Sequence, residues 1–276
     1  MSSAVRDIVL EGRDLTVAYG HQRVLDGLSV AISRGGITAL CGPNGCGKST
    51  LLRSLAGLQP LAGGQVLLEG RPLQRLTRRE RARTLAVLAQ ANETPPGLTV
   101  TELVTHGRHA HRHLLGGLSA EDRRAIADAI EAVGLTAEAS RPVTALSGGE
   151  RQRAWIAMAL AQQCRVLLLD EPTTWLDIRH QVELVDALRV LNHTRGITIV
   201  CVLHDLNQAA AIADRIMLMK NGKILHDGTT GATLMPGPLR ETFGVEMWRL
   251  DHPASDLPVC LPSFGPVVGQ VSGTQA

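Results

Sequence analysis

The chain is 276 residues long, with 44% hydrophobic residues, 20% charged residues and a formal net charge of +2. This length suits one large or two small globular domains, and the balanced charge offers no case for a nucleic acid or an acidic partner. No apolar run approaches the roughly 18 residues of a membrane span, and Met1 to Leu10 lacks the apolar stretch of a signal peptide.

The N-terminal part of the chain carries β-strand patterns. Apolar residues alternate with small ones between Ile8 and Ile32, most clearly at Leu28, Val30 and Ile32, as in a strand with one buried face. A second β segment, Gln65 to Gly70, follows a glycine turn. We therefore expect a β-rich unit at the start of the chain.

A glycine-rich loop lies between these β segments and fits the P-loop pattern G-x-x-x-x-G-K-[ST]. An apolar run, Gly36 to Cys41, precedes it, and a helical pattern begins at Lys48, which is the strand–loop–helix context that the motif requires. We expect backbone N–H groups of the loop to face phosphate oxygens, Lys48 to reach the β- and γ-phosphates, and Ser49 to ligate Mg²⁺. The alternative is a glycine-rich turn without a ligand. The candidate residues for binding ATP here are Gly42, Pro43, Asn44, Gly45, Cys46, Gly47, Lys48, Ser49 and Thr50.

Helical patterns dominate the middle of the chain. Arg75 to Thr84 is arginine-rich, and a solvated helix face is a better interpretation than a nucleic-acid patch. From Val100 to Leu160 the pattern stays helical. Ser119 is predicted to cap a helix with Asp122 at the third position, and Ile126, Ile130 and Val133 then line one face.

Two acidic residues follow a buried strand pattern in the second half. Val166 to Leu169 is apolar and ends in Asp170 and Glu171. Since ligands of open α/β sheets bind at the carboxyl ends of strands, we expect Asp170 to hold Mg²⁺ and Glu171 to orient or deprotonate the attacking water. A helix at His180 to Leu191 and a strand at Ile197 to Leu203 follow, and this alternation predicts a parallel sheet wrapped by helices.

The glycine loop, the segment Leu146-Ser147-Gly148-Gly149-Glu150 and the Asp170–Glu171 pair together resemble the ATP-binding cassette of ABC transporters. The resemblance covers residues 6–250. It implies an α/β P-loop NTPase with a RecA-like parallel-sheet core (1–91 and 161–250), an N-terminal antiparallel β subdomain and an inserted helical subdomain (92–160). The tail, 251–276, is rich in Pro, Gly and Ser, and we expect it to be loosely held.

The resemblance also implies roles for isolated residues. His204 matches the switch histidine that contacts the γ-phosphate, although a lone histidine after a strand is usually structural. Gln90 matches a glutamine that touches Mg²⁺ or water, with a surface glutamine as the alternative. Tyr19 matches an aromatic that stacks on adenine, with core packing as the alternative.

The same resemblance implies a homodimer. Ser147, Gly148 and Gly149 would face the γ-phosphate bound by the second cassette, and Asp177 would lie at the dimer interface. A glycine-flanked serine at a helix N-terminus is suited to an anion.

A narrower likeness is to the ATPases of importers for ferric siderophores, with haem and cobalamin importers as close cousins. It lies in Gly45 to Arg53, in Gly107-Arg108 and in Thr173 to Leu184. It implies an ATPase on the cytoplasmic face of the plasma membrane, partnered by permease subunits and indirectly by an extracytoplasmic substrate-binding protein. The sequence departs from that likeness at Arg108 to His113, where those proteins often carry an aromatic residue and a proline.

Other functions explain fewer of these features. A soluble ABC ATPase acting on nucleic acid or ribosomes usually has long coiled coils or two cassettes, and neither is predicted in this sequence. A P-loop kinase would leave the segment Ser147 to Glu150 unexplained. Exporter cassettes are often fused to membrane helices, for which this sequence has no pattern. A metal site is the less favoured interpretation of the clustered histidines, and a solvated or subunit-contacting loop is preferred. These histidines are His106, His109, His111 and His113.

Overall fold

The computed structural model describes residues 7–89, 96–111, 117–174, 176–252 and 255–263. Two of the residues singled out above, Gln90 and His113, lie outside these ranges. Within them, no helix is both long and apolar enough to cross a bilayer.

A six-stranded sheet forms the centre of the described structure. Five neighbouring strands are parallel, and the sixth runs antiparallel at one edge. In spatial order the strands are β10 (Lys223–Gly228), β9 (Arg215–Lys220), β3 (Ile37–Cys41), β8 (Thr198–Val202), β7 (Val166–Asp170) and β6 (Leu85–Leu88). Every residue of β3, β7 and β8 is buried, which explains their continuous apolar sequences.

The central sheet separates two hydrophobic cores. Ala39 and Cys41 of β3 belong to one core, whereas Leu40 between them belongs to the other. Leu167 and Leu168 of β7 divide in the same way, because successive side chains of a strand point to opposite faces. The predicted parallel sheet, covered on both faces, is confirmed.

The N-terminal β segments form a second, antiparallel sheet. Its order is β2 (Gln22–Ser33), β1 (Ile8–Tyr19), β4 (Gly63–Leu68) and β5 (Arg71–Pro72). Leu28, Val30 and Ile32 of β2 are buried in the core shared with the central sheet. The β-rich unit predicted from their alternation is therefore present.

The helices surround the two sheets. Short 3-10 helices cover Leu73–Arg75, Gly107–Ala110 and Val143–Ala145, and the α-helices are α1 (Lys48–Leu55), α2 (Arg78–Thr84), α3 (Val100–His106), α4 (Ala120–Ala132), α5 (Gly148–Ala161), α6 (Ile178–Arg195), α7 (Leu206–Ile212), α8 (Thr230–Thr233) and α9 (Pro236–Phe243). Helices α3, α4 and α5 lie between β6 and β7 in the chain and pack on one another. Ser119 caps α4 in a capping box with Asp122, as predicted, and Ile126, Ile130 and Val133 are buried.

The prediction of a loosely held tail after Asp251 is wrong for residues 255–263. Strand β12 (Pro258–Pro262) pairs antiparallel with β11 (Met247–Asp251). Cys260 of β12 is only 3% exposed and belongs to the core that contains Ala39 and Cys41, which we call the main core. Composition misled here because five residues suffice for a strand when a neighbouring strand pairs with it and the core buries one of its faces.

Candidate nucleotide-binding site

The glycine-rich loop connects β3 to α1 through a tightly packed turn. Gly42 has a φ of 154°, and a Cβ at this position would lie 2.1 Å from the backbone oxygen of Met219. Gly47 ends the loop in the left-handed region, with a φ of 105°, at the N-cap of α1. A side chain at Gly42 would push the loop away from β9, so glycine is required for this path.

Lys48 is held inside the loop that it follows. Its side chain is buried, and Nζ donates to the carbonyl oxygens of Gly42 at 2.8 Å and Pro43 at 2.9 Å. Helix α1 begins at the same residue and has no acidic residue in its first turn. The positive end of the helix and a buried ammonium therefore lie together, as an anion site requires.

Ser49 and Asp170 connect α1 to the carboxyl end of β7. Ser49 Oγ donates to Asp170 Oδ1 at 2.7 Å. Asp170 is only 3% exposed, and burial raises the pKa of this carboxyl above its usual value, which the Ser49 hydrogen bond partly offsets. A hydroxyl and a carboxylate are oxygen ligands of the kind that Mg²⁺ prefers, and a buried carboxylate gains from a nearby cation. These two residues fit a Mg²⁺ site.

Glu171 and His204 meet across two neighbouring strands. Nε2 of His204 lies 2.6 Å from Oε1 of Glu171, and Thr174 Oγ1 donates to Oε2 of Glu171 at 3.2 Å. Glu171 has a φ of 51°, in the left-handed region. A non-glycine residue held there is strained, and such strain is concentrated at functional sites.

Lys48, Ser49, Glu171 and His204 share one cleft of about 510 Å³, whose lining does not include Asp170. Its lining unites the loop, the start of α1, Glu171 and His204, which the sequence distributes over about 160 positions. The lining residues are Val24, Asn44, Gly45, Gly47, Lys48, Ser49, Thr50, Glu171 and His204.

Val24 was not identified from the sequence, because no local pattern marks a β2 residue as part of a cleft. Gly222 was also missed. It donates its N–H to the Cys46 carbonyl at 2.9 Å and so supports the loop from the turn between β9 and β10. Both residues are identified only by their proximity to the loop in the folded structure.

Other candidate residues lie outside the lining of this cleft. Tyr19 is 50% exposed and its hydroxyl donates to Gln59 Oε1 at 2.8 Å, so the alternative of core packing for Tyr19 is wrong. Asp177 caps α6 by accepting from the N–H of His180, a hydrogen bond that lowers the pKa of its carboxyl. Gln90 lies outside the described residues.

The Ser147-Gly148-Gly149 segment forms the start of α5. Ser147 caps the helix in a capping box with Glu150, and Ser147 and Gly148 are exposed. Gly149 packs against His180, where a Cβ would lie 2.3 Å from the imidazole ring. The segment thus presents a serine and a helix N-terminus at the surface.

The clustered histidines form no metal cluster in the part of the chain that is described. His106 Nδ1 and His109 Nε2 lie 3.1 Å apart, and His111 Nε2 lies 2.9 Å from the carbonyl oxygen of Gln162. Across the described ranges, no three His, Cys, Asp or Glu side chains converge on a common metal position.

The chain is similar to proteins of known family. Residues 25–174 match the family model described as ABC transporter. The chain is 42% identical to the iron(3+)-hydroxamate import ATP-binding protein FhuC of Bacillus subtilis (strain 168), over 91% of the chain and 94% of the relative. It is 44% identical to the ferric enterobactin transport ATP-binding protein FepC of Escherichia coli (strain K12), over 92% and 93%. It is 39% identical to the hemin import ATP-binding protein HmuV of Rhodococcus jostii (strain RHA1), over 92% and 86%.

Two solved structures extend this similarity to the fold. A chain of an inward-facing ABC transporter, described as of metal-chelate type, superposes with a TM-score of 0.81 at 28% identity, covering 94% of this chain and 98% of that one. A dimeric ATP-binding cassette bound to ADP and Pi superposes with a TM-score of 0.71 at 28% identity, covering 80% and 98%.

Proposed function

The chain belongs to the ABC transporter family, as an ATP-binding subunit, and on this premise we propose that it hydrolyses ATP to drive the import of ferric siderophores. Subunits of this kind hydrolyse ATP to power transport. The observation that carries the site assignment is the meeting of Lys48, Ser49, Glu171 and His204 in one cleft. The cargo assignment rests on the siderophore importers among the relatives, at 42% and 44% identity.

In this proposal the glycine loop binds the phosphates of ATP. Its N–H groups and the N-terminus of α1 donate to phosphate oxygens, and the Lys48 ammonium neutralises the β- and γ-phosphates. Tyr19 stacks on the adenine, for which its exposure leaves it accessible. Such a stack contributes on the order of 1 kcal/mol.

Ser49 and Asp170 would hold Mg²⁺, with Gln90 as the third candidate. When bound, Mg²⁺ supplies positive charge that offsets the charge on the phosphate oxygens. The 2.7 Å hydrogen bond between Ser49 and Asp170 supports this role, because it brings a hydroxyl and a carboxylate oxygen to one point.

Hydrolysis then depends on Glu171 and His204. The Glu171 carboxylate accepts a proton from a water molecule as the water oxygen attacks the γ-phosphorus, and the bond to the β–γ bridging oxygen breaks to leave ADP and phosphate. The 2.6 Å contact to His204 and the hydrogen bond from Thr174 hold the carboxylate in one orientation.

ABC cassettes dimerise, and we infer that a second copy of this chain completes the site. Ser147, Gly148 and Gly149 lie outside the cleft lining, at the N-terminus of α5. Ser147 and Gly148 are exposed there and available to the γ-phosphate bound by a partner, while the buried Gly149 packs against His180. Asp177, exposed at the start of α6, would contact the partner at the same interface.

Import systems pair such subunits with membrane permeases. We infer that this chain is a peripheral subunit on the cytoplasmic face of the plasma membrane, bound to permease subunits that receive cargo from an extracytoplasmic binding protein. Haem is the second candidate cargo, favoured by the 39% identity to the hemin importer subunit.

Uptake of labelled cargo tests the proposal. Cells carrying wild type, Glu171→Gln or Glu183→Gln as the sole copy receive labelled ferric hydroxamate, ferric catecholate, haem or cobalamin. Glu183 is the control because it pairs with Arg153 and Arg179 away from the cleft. We expect Glu171→Gln alone to abolish uptake of a ferric siderophore. If uptake of haem or cobalamin is lost instead, that compound becomes the assigned cargo. Unchanged uptake of all four compounds would refute the transport role.

A further inference from the structure

Helix α7 begins two residues after His204, so its position sets the position of that histidine. Asp205 caps α7, since its Oδ1 accepts from the N–H groups of Asn207 at 2.7 Å and Gln208 at 3.3 Å. The backbone from His204 into the helix is therefore a short, hydrogen-bonded connection. Any displacement of the first turn of α7 would move the imidazole relative to Glu171.

The first turn of α7 is bound to the C-terminal strand β12 by one side chain. Asn207 Oδ1 accepts from the N–H of Cys260 at 2.8 Å, and Asn207 Nδ2 donates to the carbonyl oxygen of Cys260 at 3.3 Å. A single amide thus satisfies both backbone groups of one strand residue, as a neighbouring strand would. We call this pair of hydrogen bonds the Asn207 clamp.

Strand β12 is itself anchored. Cys260 is buried in the main core, and Met247 of β11 packs against the same core. Ser263 N donates to the Glu246 carbonyl at 2.8 Å and closes the far end of the β11–β12 hairpin. The clamp therefore joins the first turn of α7 to a fixed element instead of to a free chain end.

The next residue of α7, Gln208, is connected to the segment after Glu171 and not to β12. Gln208 Nε2 donates to Gln181 Oε1 at 2.8 Å, and Gln181 Nε2 donates to the Leu176 carbonyl at 3.0 Å. Leu176 lies in the segment that follows Glu171. The first turn of α7 is thus held between the C-terminal hairpin and the loop that carries the other half of the Glu171–His204 pair.

From these contacts we propose that Asn207 is a positioning residue for ATP hydrolysis. By docking the C-terminal hairpin against α7, it keeps His204 in contact with Glu171. This inference rests on the role of His204 in the proposed function. It assigns a catalytic consequence to strands β11 and β12, which lie beyond the matched family region of 25–174.

Asn207→Ala tests the clamp against a matched control. Asn192 is also an amide on a helix with two backbone hydrogen bonds, to the carbonyls of Gly35 and Ile197, but it does not contact α7 through them. We expect Asn207→Ala to lower kcat by about 10- to 100-fold with little change in KM for ATP, because a misplacement of about 1 Å costs up to about 100-fold. Asn192→Ala should leave kcat unchanged.

Thiol labelling gives a readout independent of activity. Cys260 is buried, and undocking of β12 would expose it. In the full chain, Asn207→Ala should label Cys260 with an aromatic disulfide reagent faster than wild type or Asn192→Ala, and Cys260→Ser identifies the signal. If Asn207→Ala does not yield folded protein, Asn207→Asp decides by the same criteria, because it keeps the acceptor for the Cys260 N–H and loses the donor.

The outcomes separate this inference from the proposed function. Faster labelling of Cys260 with an unchanged kcat, or no change in either quantity, would overturn the clamp as a positioning device. His204→Gln is measured in parallel. If His204→Gln keeps full activity, the role of His204 itself is wrong, whereas an inactive His204→Gln beside a fully active Asn207→Ala refutes only the clamp.

Discussion

Glu171 and His204 follow adjacent parallel strands, and the 2.6 Å contact between them joins two acid–base groups in the lining of the candidate nucleotide-binding cleft. Each group is held by a second feature. Glu171 accepts from Thr174 and has a left-handed backbone conformation, and His204 leads into a capped helix. Such fixed geometry is what general base catalysis needs.

Glu171→Gln should separate ATP binding from hydrolysis. The amide keeps the size of the side chain but cannot accept the proton of the attacking water, so phosphate release should fall by about 10²- to 10⁴-fold. Binding of a fluorescent ATP analogue should remain within about twofold, because in the proposed site the phosphates contact the glycine loop and Lys48 instead of Glu171. Glu183→Gln is the control, and hydrolysis at the wild-type rate by Glu171→Gln would refute the base role.

Asp170→Asn should raise the Mg²⁺ requirement of ATP hydrolysis without lowering the thermal stability of the nucleotide-free protein: more Mg²⁺ should be needed for the same activity. Burial raises the pKa of Asp170, so at neutral pH the ionised carboxylate destabilises the folded chain, and this effect diminishes as the pH falls through the raised pKa. The neutral amide removes it. We expect the thermal midpoint of the nucleotide-free variant near neutral pH to equal or exceed that of wild type, while ATP hydrolysis requires more Mg²⁺. A lower midpoint with unchanged Mg²⁺ dependence would contradict both parts, and the exposed Asp186→Asn serves as control.

At the scale of elements, one buried ion pair ties together the helices inserted between β6 and β7. Arg108 Nε donates to Asp122 Oδ1 at 2.8 Å, and the two side chains are 1% and 7% exposed. Arg108 also donates to the Ala161 carbonyl and to Gln163. The start of α4 and the end of α5 therefore share one guanidinium, which lowers the pKa of Asp122 to about 2.

Arg108→Ala should destabilise the chain strongly. It leaves Asp122 buried without its partner, and breaking a buried pair in this way costs about 3–5 kcal/mol. Arg123→Ala, on the exposed face of α4, should change the free energy of unfolding by less than about 0.5 kcal/mol. Urea unfolding measures both, and equal effects of the two variants would contradict the role of the pair.

The same pair predicts a dependence on pH. Because the pKa of Asp122 is lowered in the folded state, its stabilising contribution is present above the ordinary aspartate pKa of about 4 and is lost as the pH falls towards 2. Wild type should lose this stability over that range in urea unfolding experiments. Asp122→Asn should lack that part of the pH dependence.

At the scale of the whole molecule, the same helix-capping motif occurs at several helices, and we expect one of these motifs to contact a second subunit as well. In the described part of the chain, capping boxes begin α2, α3, α4 and α5. Of these four boxes, only the one at Ser147 continues into two glycines, of which Gly148 is exposed and Gly149 buried, and it matches the motif expected at a dimer interface. Ser119 performs the same local task on α4, so the two serines differ in surroundings and not in chemistry.

Ser147→Ala and Ser119→Ala should therefore differ in assembly. Each loses one helix cap, at a cost of about 1 kcal/mol. In a Glu171→Gln background with Mg²⁺ and ATP, light scattering should show a dimer for Ser119→Ala and a monomer for Ser147→Ala, because in the proposed dimer Ser147 contacts the partner's nucleotide. Dimers of both variants would refute the contact across the interface.

The sequence alone determined the features that depend on near neighbours. Three such features are the glycine loop, the start of α1 and the acidic end of β7. Each of them is marked by residues that lie within about ten positions of one another in the chain. The capping box at Ser119 depends on residues three positions apart. Local backbone geometry and strand or helix periodicity decide these features, so the parallel-sheet core and most candidate phosphate-binding residues could be predicted.

Only the tertiary structure decided which distant groups meet. Ser49 reaches Asp170 across 121 positions, and Asn207 holds Cys260 across 53. Val24 lines the cleft and β12 joins the core without any local pattern that marks them. Composition predicted a loose tail because Pro and Gly disfavour regular structure locally, whereas burial of Cys260 and the hydrogen bonds from Asn207 are contacts that exist only after the chain has folded.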